Sequence, residues 1–183
     1  MALHGLGKVT IGVPSVDETI GYYTEFGLEH CGNGVFATRN GGEQLEIRFA
    51  PTRRLLELEV AADDIDDIAA ISHRLTGLGI AYTQDGTSVS SVEPVTGTRV
   101  RVAVRPRIMI APPVSATPYN GPGRIDRWGR APFITRTEAV RPRKLGHAVI
   151  GSTDLETTMK FFIEGLGFKV SDYMGDKAAF LRC

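Results

Sequence analysis

The sequence predicts an α+β fold, and three observations carry that expectation. Residues 1–105 run twice through the order strand, amphipathic helix, further short strands. Residues 106–143 differ in composition, holding seven of the ten prolines and seven arginines with almost no apolar periodicity. Residues from 145 onward then repeat the opening of the chain.

Taken in order, Leu6–Val13 is short, β-branched and followed by Pro14-Ser15, which reads as a strand leading into a helix. Ser15 with Glu18 three residues later has the form of a capping box. Val16, Ile20 and Tyr23 fall on one helical face, and Phe26-Gly27 ends the helix. Gly34–Thr38 and Glu43–Phe49 flank Asn40-Gly41, which predicts a tight hairpin with positive φ at those two residues. A strand over Leu56–Val60 leads to a second helix over 63–76, with Ile65, Ile68, Ser72 and Leu75 on its buried face and Gly77 and Gly79 at its end. Ile80–Tyr82, Val89–Val92 and Arg99–Val104 complete the region, the last with strict alternation.

The Pro- and Arg-rich stretch 106–143 is expected to be a linker that either wraps a domain surface or joins two domains, with Trp128 as its anchor. Its arginines are those of a solvated connector. After it, Leu145-Gly146-His147-Ala148-Val149-Ile150-Gly151 lies over Leu6-Gly7-Lys8-Val9-Thr10-Ile11-Gly12, with Leu, Gly, Ile and Gly coinciding. Leu155, Met159 and Phe162 fall on Val16, Ile20 and Tyr23, so the two helices bury the same stripe. Gly165-Leu166-Gly167-Phe168 answers Phe26-Gly27-Leu28 with one inserted residue. The expected organisation is an N-terminal domain over 1–105, the linker, and an unfinished second copy over 144–183. A sheet left in that state exposes an edge and an apolar face, so either a partner chain completes it or the biological polypeptide is longer.

Composition narrows the function classes. Lys+Arg and Asp+Glu are balanced at 21 each, giving a net charge of zero and no global attraction for nucleic acid or anionic lipid. The apolar runs are too short to span a bilayer, the N-terminus has no signal-peptide pattern, and a cytoplasmic protein is expected. Cys31 and Cys183 read as ordinary thiols. His4, His30 and His73 read as terminal, strand and solvated-helix residues, the acidic run Asp63–Asp67 as a helix N-terminus, and Glu43, Glu46, Glu57 and Glu59 as outward positions on strands.

The doubled unit, with Leu145-Gly146-His147-Ala148-Val149-Ile150-Gly151, Thr153-Asp154-Leu155-Glu156 and Phe161-Phe162 before Gly165-Leu166-Gly167-Phe168, resembles the vicinal oxygen chelate superfamily of glyoxalases, bleomycin-resistance proteins and extradiol dioxygenases. The layout over nearly the whole chain resembles in particular the two-domain type I extradiol ring-cleavage dioxygenases. That resemblance implies paired βαβββ modules forming a half-open barrel, an N-terminal domain without metal, and a C-terminal domain holding Fe(II), occasionally Mn(II), by two histidines and a glutamate. Three ligands on one face leave room for a chelating catecholate and O₂ side by side.

His147 stands at the family's first-ligand position, while the first copy carries Lys8 there and Leu55 offers no donor in the second module. The remaining ligands have no counterpart in this sequence, so iron is not expected to be retained by this chain alone, and no catalytic residue is assigned. The implied function is Fe(II)-dependent ring cleavage of a small aromatic diol with O₂. The alternatives are a glyoxalase/bleomycin-resistance type binding protein without metal turnover and an interaction module. A homo-oligomer is expected, with neither nucleic acid nor membrane as partner.

Overall fold

The computed structural model describes residues 3–109 and 141–183. Most of the linker, with Trp128, lies outside the described residues. The first module comprises β1 (Leu3–Val13), α1 (Val16–Glu25), β2 (Glu29–Gly32), β3 (Val35–Thr38) and β4 (Gly42–Phe49). The second comprises β5 (Arg54–Ala62), α2 (Ile65–Gly77), β6 (Tyr82–Gln84), β7 (Ser88–Val92) and β8 (Arg99–Val104). Together they form one eight-stranded sheet in the order β2-β3-β4-β1-β5-β8-β7-β6.

In each module the first strand runs parallel to the last, β1 to β4 and β5 to β8, and the modules meet where β1 and β5 pair antiparallel. The chain thus forms two paired βαβββ units, as expected. Alternation along the strands gives the sheet two unlike faces. Val9, Leu45, Ile47, Leu58, Val60 and Val102 bury against the helices. Lys8, Thr10, Glu46, Glu59 and Arg101 alternate with them and share the other face.

Local details differ from the sequence expectations for identifiable reasons. Ser15 makes no side-chain cap; its carbonyl instead accepts from the amide and hydroxyl of Thr19, whereas Asp64 caps α2 by accepting from the amides of Asp66 and Asp67. The buried stripe of α2 is Ile68, Ile71, Ser72 and Leu75, and Ile65, in the first turn, is exposed. In the β3–β4 hairpin the positive φ (67°) falls on Gly42 and not on Asn40-Gly41. Thr38 pairs with Gly42, so the loop is Arg39–Gly41 and leaves the amides of Arg39 and Asn40 free for other partners.

The second copy forms α3 (Leu155–Lys160), which runs on as a π-helical turn over Phe161–Leu166, then the hairpin of β9 (Lys169–Met174) and β10 (Ala178–Arg182). This is the helix and hairpin of the first module again. In α1 and α2 the closing bonds run from Leu28 N–H to Tyr23 O and from Ile80 N–H to Leu75 O. In the second copy the equivalent bond runs from Phe168 N–H to Phe162 O, one residue wider. The inserted residue seen in the sequence is thus absorbed as a π turn, and Gly27, Gly79 and Gly167 all end their helices with positive φ.

The strand expected over 145–151 is not formed. β1 is hydrogen-bonded by β4 on one side and β5 on the other, and residues 145–151 have no strand beside them among the described residues. No helix among the described residues is long and apolar enough to cross a membrane.

Candidate functional site

His147 sits on an extended segment docked against the first domain. Leu145, Ala148 and Ile150 pack on the hydrophobic core, while Gly146, His147 and Val149 face outward. The β3–β4 loop holds the start of this segment, with Arg39 N–H donating to Pro142 O (3.0 Å) and Asn40 N–H to Arg143 O (2.9 Å). Gln44, only 1% exposed, completes the clasp. Its Oε1 accepts from Leu145 N–H (2.7 Å) and the Thr38 hydroxyl (3.0 Å), and its Nε2 donates to Leu6 O (2.9 Å) and Gly7 O (3.3 Å). Both donors and both acceptor positions of the amide are used, so its orientation is fixed.

The imidazole of His147 is exposed and makes no hydrogen bond or ion pair with a described residue. It stands between two clefts of about 470 and 300 Å³. The larger is floored by Val9, Ile11, Leu45 and Leu55, with Tyr23 and Phe26 from the α1 side. Among the described residues no three His, Cys, Asp or Glu side chains converge as a metal site. One exposed imidazole does not make an iron or manganese centre, so the donor set described here does not fit that ion by itself.

Lys8, the counterpart of His147, is on the polar face of the sheet. Its Nζ is 2.9 Å from Glu46 Oε2, which also accepts from the Thr10 hydroxyl (3.2 Å), while Arg48 Nε donates to Glu46 Oε1 (2.6 Å). Burial pushes the Glu46 carboxyl up, but the hydrogen bonds and charges of Lys8 and Arg48 outweigh it and hold the pKa below its ordinary value. In the second module Glu59 accepts from Arg101 Nη1 (2.9 Å) and from Arg105 Nε (2.9 Å) and Nη2 (3.2 Å). The same pairing raises the pKa of Arg105 against the opposing effect of burial.

Glu46 and Glu59, read from sequence as outward positions, are therefore interior: they are 9% and 2% exposed. Strand alternation puts both on the polar face, but there each carboxylate is covered and neutralised by lysine or arginine side chains. Each carboxylate is matched to lysine or arginine where a metal would need a lone pair.

Two further contacts join the copies. Arg74 donates from Nε to Gly165 O and from Nη2 to Leu166 O, both 3.1 Å, at the end of the π turn. Burial lowers its pKa, which the charge of Asp67 opposes. Glu93 is fully buried and accepts from the Thr158 hydroxyl (3.0 Å) and from the amides of Val95 and Thr96. Burial would raise its carboxyl, but these hydrogen bonds, led by the Thr96 hydroxyl, hold it below the ordinary value. Gln44, Arg74 and Glu93 were not singled out by sequence; a Gln or Glu inside an otherwise apolar strand pattern was the available signal. His73 is exposed on α2 as expected, and His30 stacks on Phe36 with ring centroids 4.8 Å apart.

No protein-family model matches the sequence, and no curated protein matches it significantly. Solved structures do. A Mn(II)-bound glyoxalase from Novosphingobium aromaticivorans superposes with a TM-score of 0.64 at 20% identity, over 99% of this chain and 58% of the other. A halotolerant catechol dioxygenase gives 0.68 at 18%, over 99% and 61%. A 2,2',3-trihydroxybiphenyl 1,2-dioxygenase from dibenzofuran-degrading Sphingomonas wittichii gives 0.66 at 18%, over 100% and 64%. The chain thus spans less than two thirds of the length of these structures, and the likeness is one of fold.

Proposed function

We propose that this chain, which has the vicinal oxygen chelate fold of glyoxalases and extradiol dioxygenases, serves metal-dependent ring cleavage of a catecholic compound with O₂. In this reading residues 3–109 are the scaffold, and His147 is one ligand of an Fe(II) or Mn(II) centre whose other ligands lie outside the described residues. The observation that carries it is the contrast between equivalent positions. Lys8 is tied to Glu46, while His147 is held on a pinned segment with its imidazole unengaged. The metal dependence and catechol substrates of the structural neighbours support the same assignment.

The test is oxygen uptake by the full-length polypeptide after anaerobic loading with Fe(II), with 2,3-dihydroxybiphenyl as substrate and the product mass read for incorporation of both oxygen atoms. Uptake and ring-opened product that are lost in His147→Ala support the reading. Turnover unchanged by His147→Ala, or tight binding of the diol with no stoichiometric metal, contradicts it; the second result favours a binding protein.

A further inference from the structure

The 470 Å³ cleft beside His147 combines an apolar floor with a cationic rim. Its floor is apolar, with Val9 and Leu45 buried and Ile11 and Leu55 half-buried, and Tyr23 and Phe26 offer aromatic surface at one side. Its rim carries three permanent cations, Arg53, Arg54 and Lys144, and no aspartate or glutamate lines it. A cleft of this volume suits a small molecule.

Several cations of this chain are matched. Lys8, Arg48, Arg101, Arg105 and Arg107 each pair with a carboxylate at 2.6–2.9 Å. Arg53, Arg54 and Lys144 make no ion pair with a described residue, although the chain has as many acidic as basic residues. Three unmatched positive charges around one apolar hollow repel each other, and an anion placed among them relieves that repulsion. A guanidinium pair also presents the forked donors that suit a planar carboxylate.

We propose that this cleft binds an aromatic carboxylate, its ring against Val9, Ile11 and Leu55 and its anionic head among Arg53, Arg54 and Lys144. The site lies on the helix-bearing side of the sheet and needs no metal at His147, so it stands or falls separately from the ring-cleavage reading. The ring gains from burial beside Tyr23 and Phe26, and the head supplies specificity.

The experiment is titration of the chelator-treated, metal-free protein with 1-naphthoate, 1-naphthyl phosphate and neutral 1-naphthalenemethanol, followed by calorimetry and by amide shifts. Saturable naphthoate binding is expected, with shifts at Val9, Ile11, Leu55 and Val149. Affinity should fall about tenfold or more for the alcohol, for added salt and for the triple variant Arg53→Gln, Arg54→Gln, Lys144→Gln. All three side chains are exposed, so the variant is expected to fold, and unchanged amide spectra away from the cleft verify this. Tighter binding of the phosphate than of the carboxylate overturns the choice of head group. Equal binding of naphthoate and the alcohol, undiminished binding by the triple variant, shifts centred elsewhere, or no saturation at millimolar ligand each overturn the site.

Discussion

The two copies of the opening unit, residues 3–38 and 145–182, have the same helix and hairpin but treat their first strand differently. β1, eleven residues long, pairs with β5 along most of its length, with register shifts, and with β4 over Val9–Val13. Its counterpart, with a similar sequence, forms no strand. A helix with a glycine stop and a hairpin is specified by nearby residues, whereas a strand acquires its ladder only from neighbours. The second copy is nonetheless not a loose appendage, because Phe161, Phe162, Leu166 and Phe168 belong to the same core as α2 and the large sheet.

That shared core gives the largest expected effect. Phe36 is fully buried in the first copy and Phe161 is 1% exposed in the second. Truncation of either to alanine should cost about 3–5 kcal/mol in one common unfolding transition. A Phe161→Ala protein that keeps the wild-type main transition and adds a separate early one would show the copies to be energetically independent.

Next in size is the clasp. Gln44→Leu removes the acceptor for Leu145 N–H and the donor to the carbonyls of Leu6 and Gly7, at about 1–3 kcal/mol. Amide exchange at Leu145, Arg39 and Asn40 should accelerate together; acceleration confined to Leu145 would mean that the β3–β4 loop holds the segment without Gln44. Arg74→Met deletes two hydrogen bonds to the π turn and is worth about 1–2 kcal/mol. Its effect should appear as faster exchange over 161–168 with little change in β1.

The smallest effect is acid sensitivity. Glu46 and Glu93 have folded-state pKa values below their ordinary 4.5. Their carboxylates therefore stabilise the fold above that value, and the contribution is lost as pH falls from 4.5 through the lower folded values. The exposed Asp63, Asp85 and Asp154 act in the same direction. Urea midpoints should decline in this window, and Glu93→Gln should flatten the decline; an unchanged slope would remove Glu93 from the set.

Much of this architecture was legible in the chain itself. Glycine stops at 27, 79 and 167, the alternation of Arg99–Val104 and the repeat at 145 gave the modules and their order. The one-residue insertion was visible too, although only hydrogen bonding revealed that it becomes a π turn. What escaped was set by distant partners. Glu46 and Glu59 could be placed inside only once β1, β4, β5 and β8 were neighbours, since their cations Lys8 and Arg101 lie 38 and 42 residues away. Gln44 and Leu145 are 101 residues apart. The strand expected over 145–151 does not form because strand propensity acts only where a neighbouring strand supplies the ladder. His147 stands out in the sequence through the Leu145-Gly146-His147 motif and its match to Lys8, and the structure adds that it is exposed and docked beside a cleft.

In the proposed reading His147 is free to meet a metal ion, while the Lys8–Glu46 and Glu59–Arg101 positions are closed as ion pairs. Titration of the ¹⁵N-labelled protein with Mn(II), reading paramagnetic broadening residue by residue, tests it directly. Broadening that begins at Gly146, His147 and Ala148 and is abolished by His147→Ala is the expected result. Broadening that begins at Lys8, Glu46 or Glu59, or that survives the loss of His147 unchanged, would contradict it.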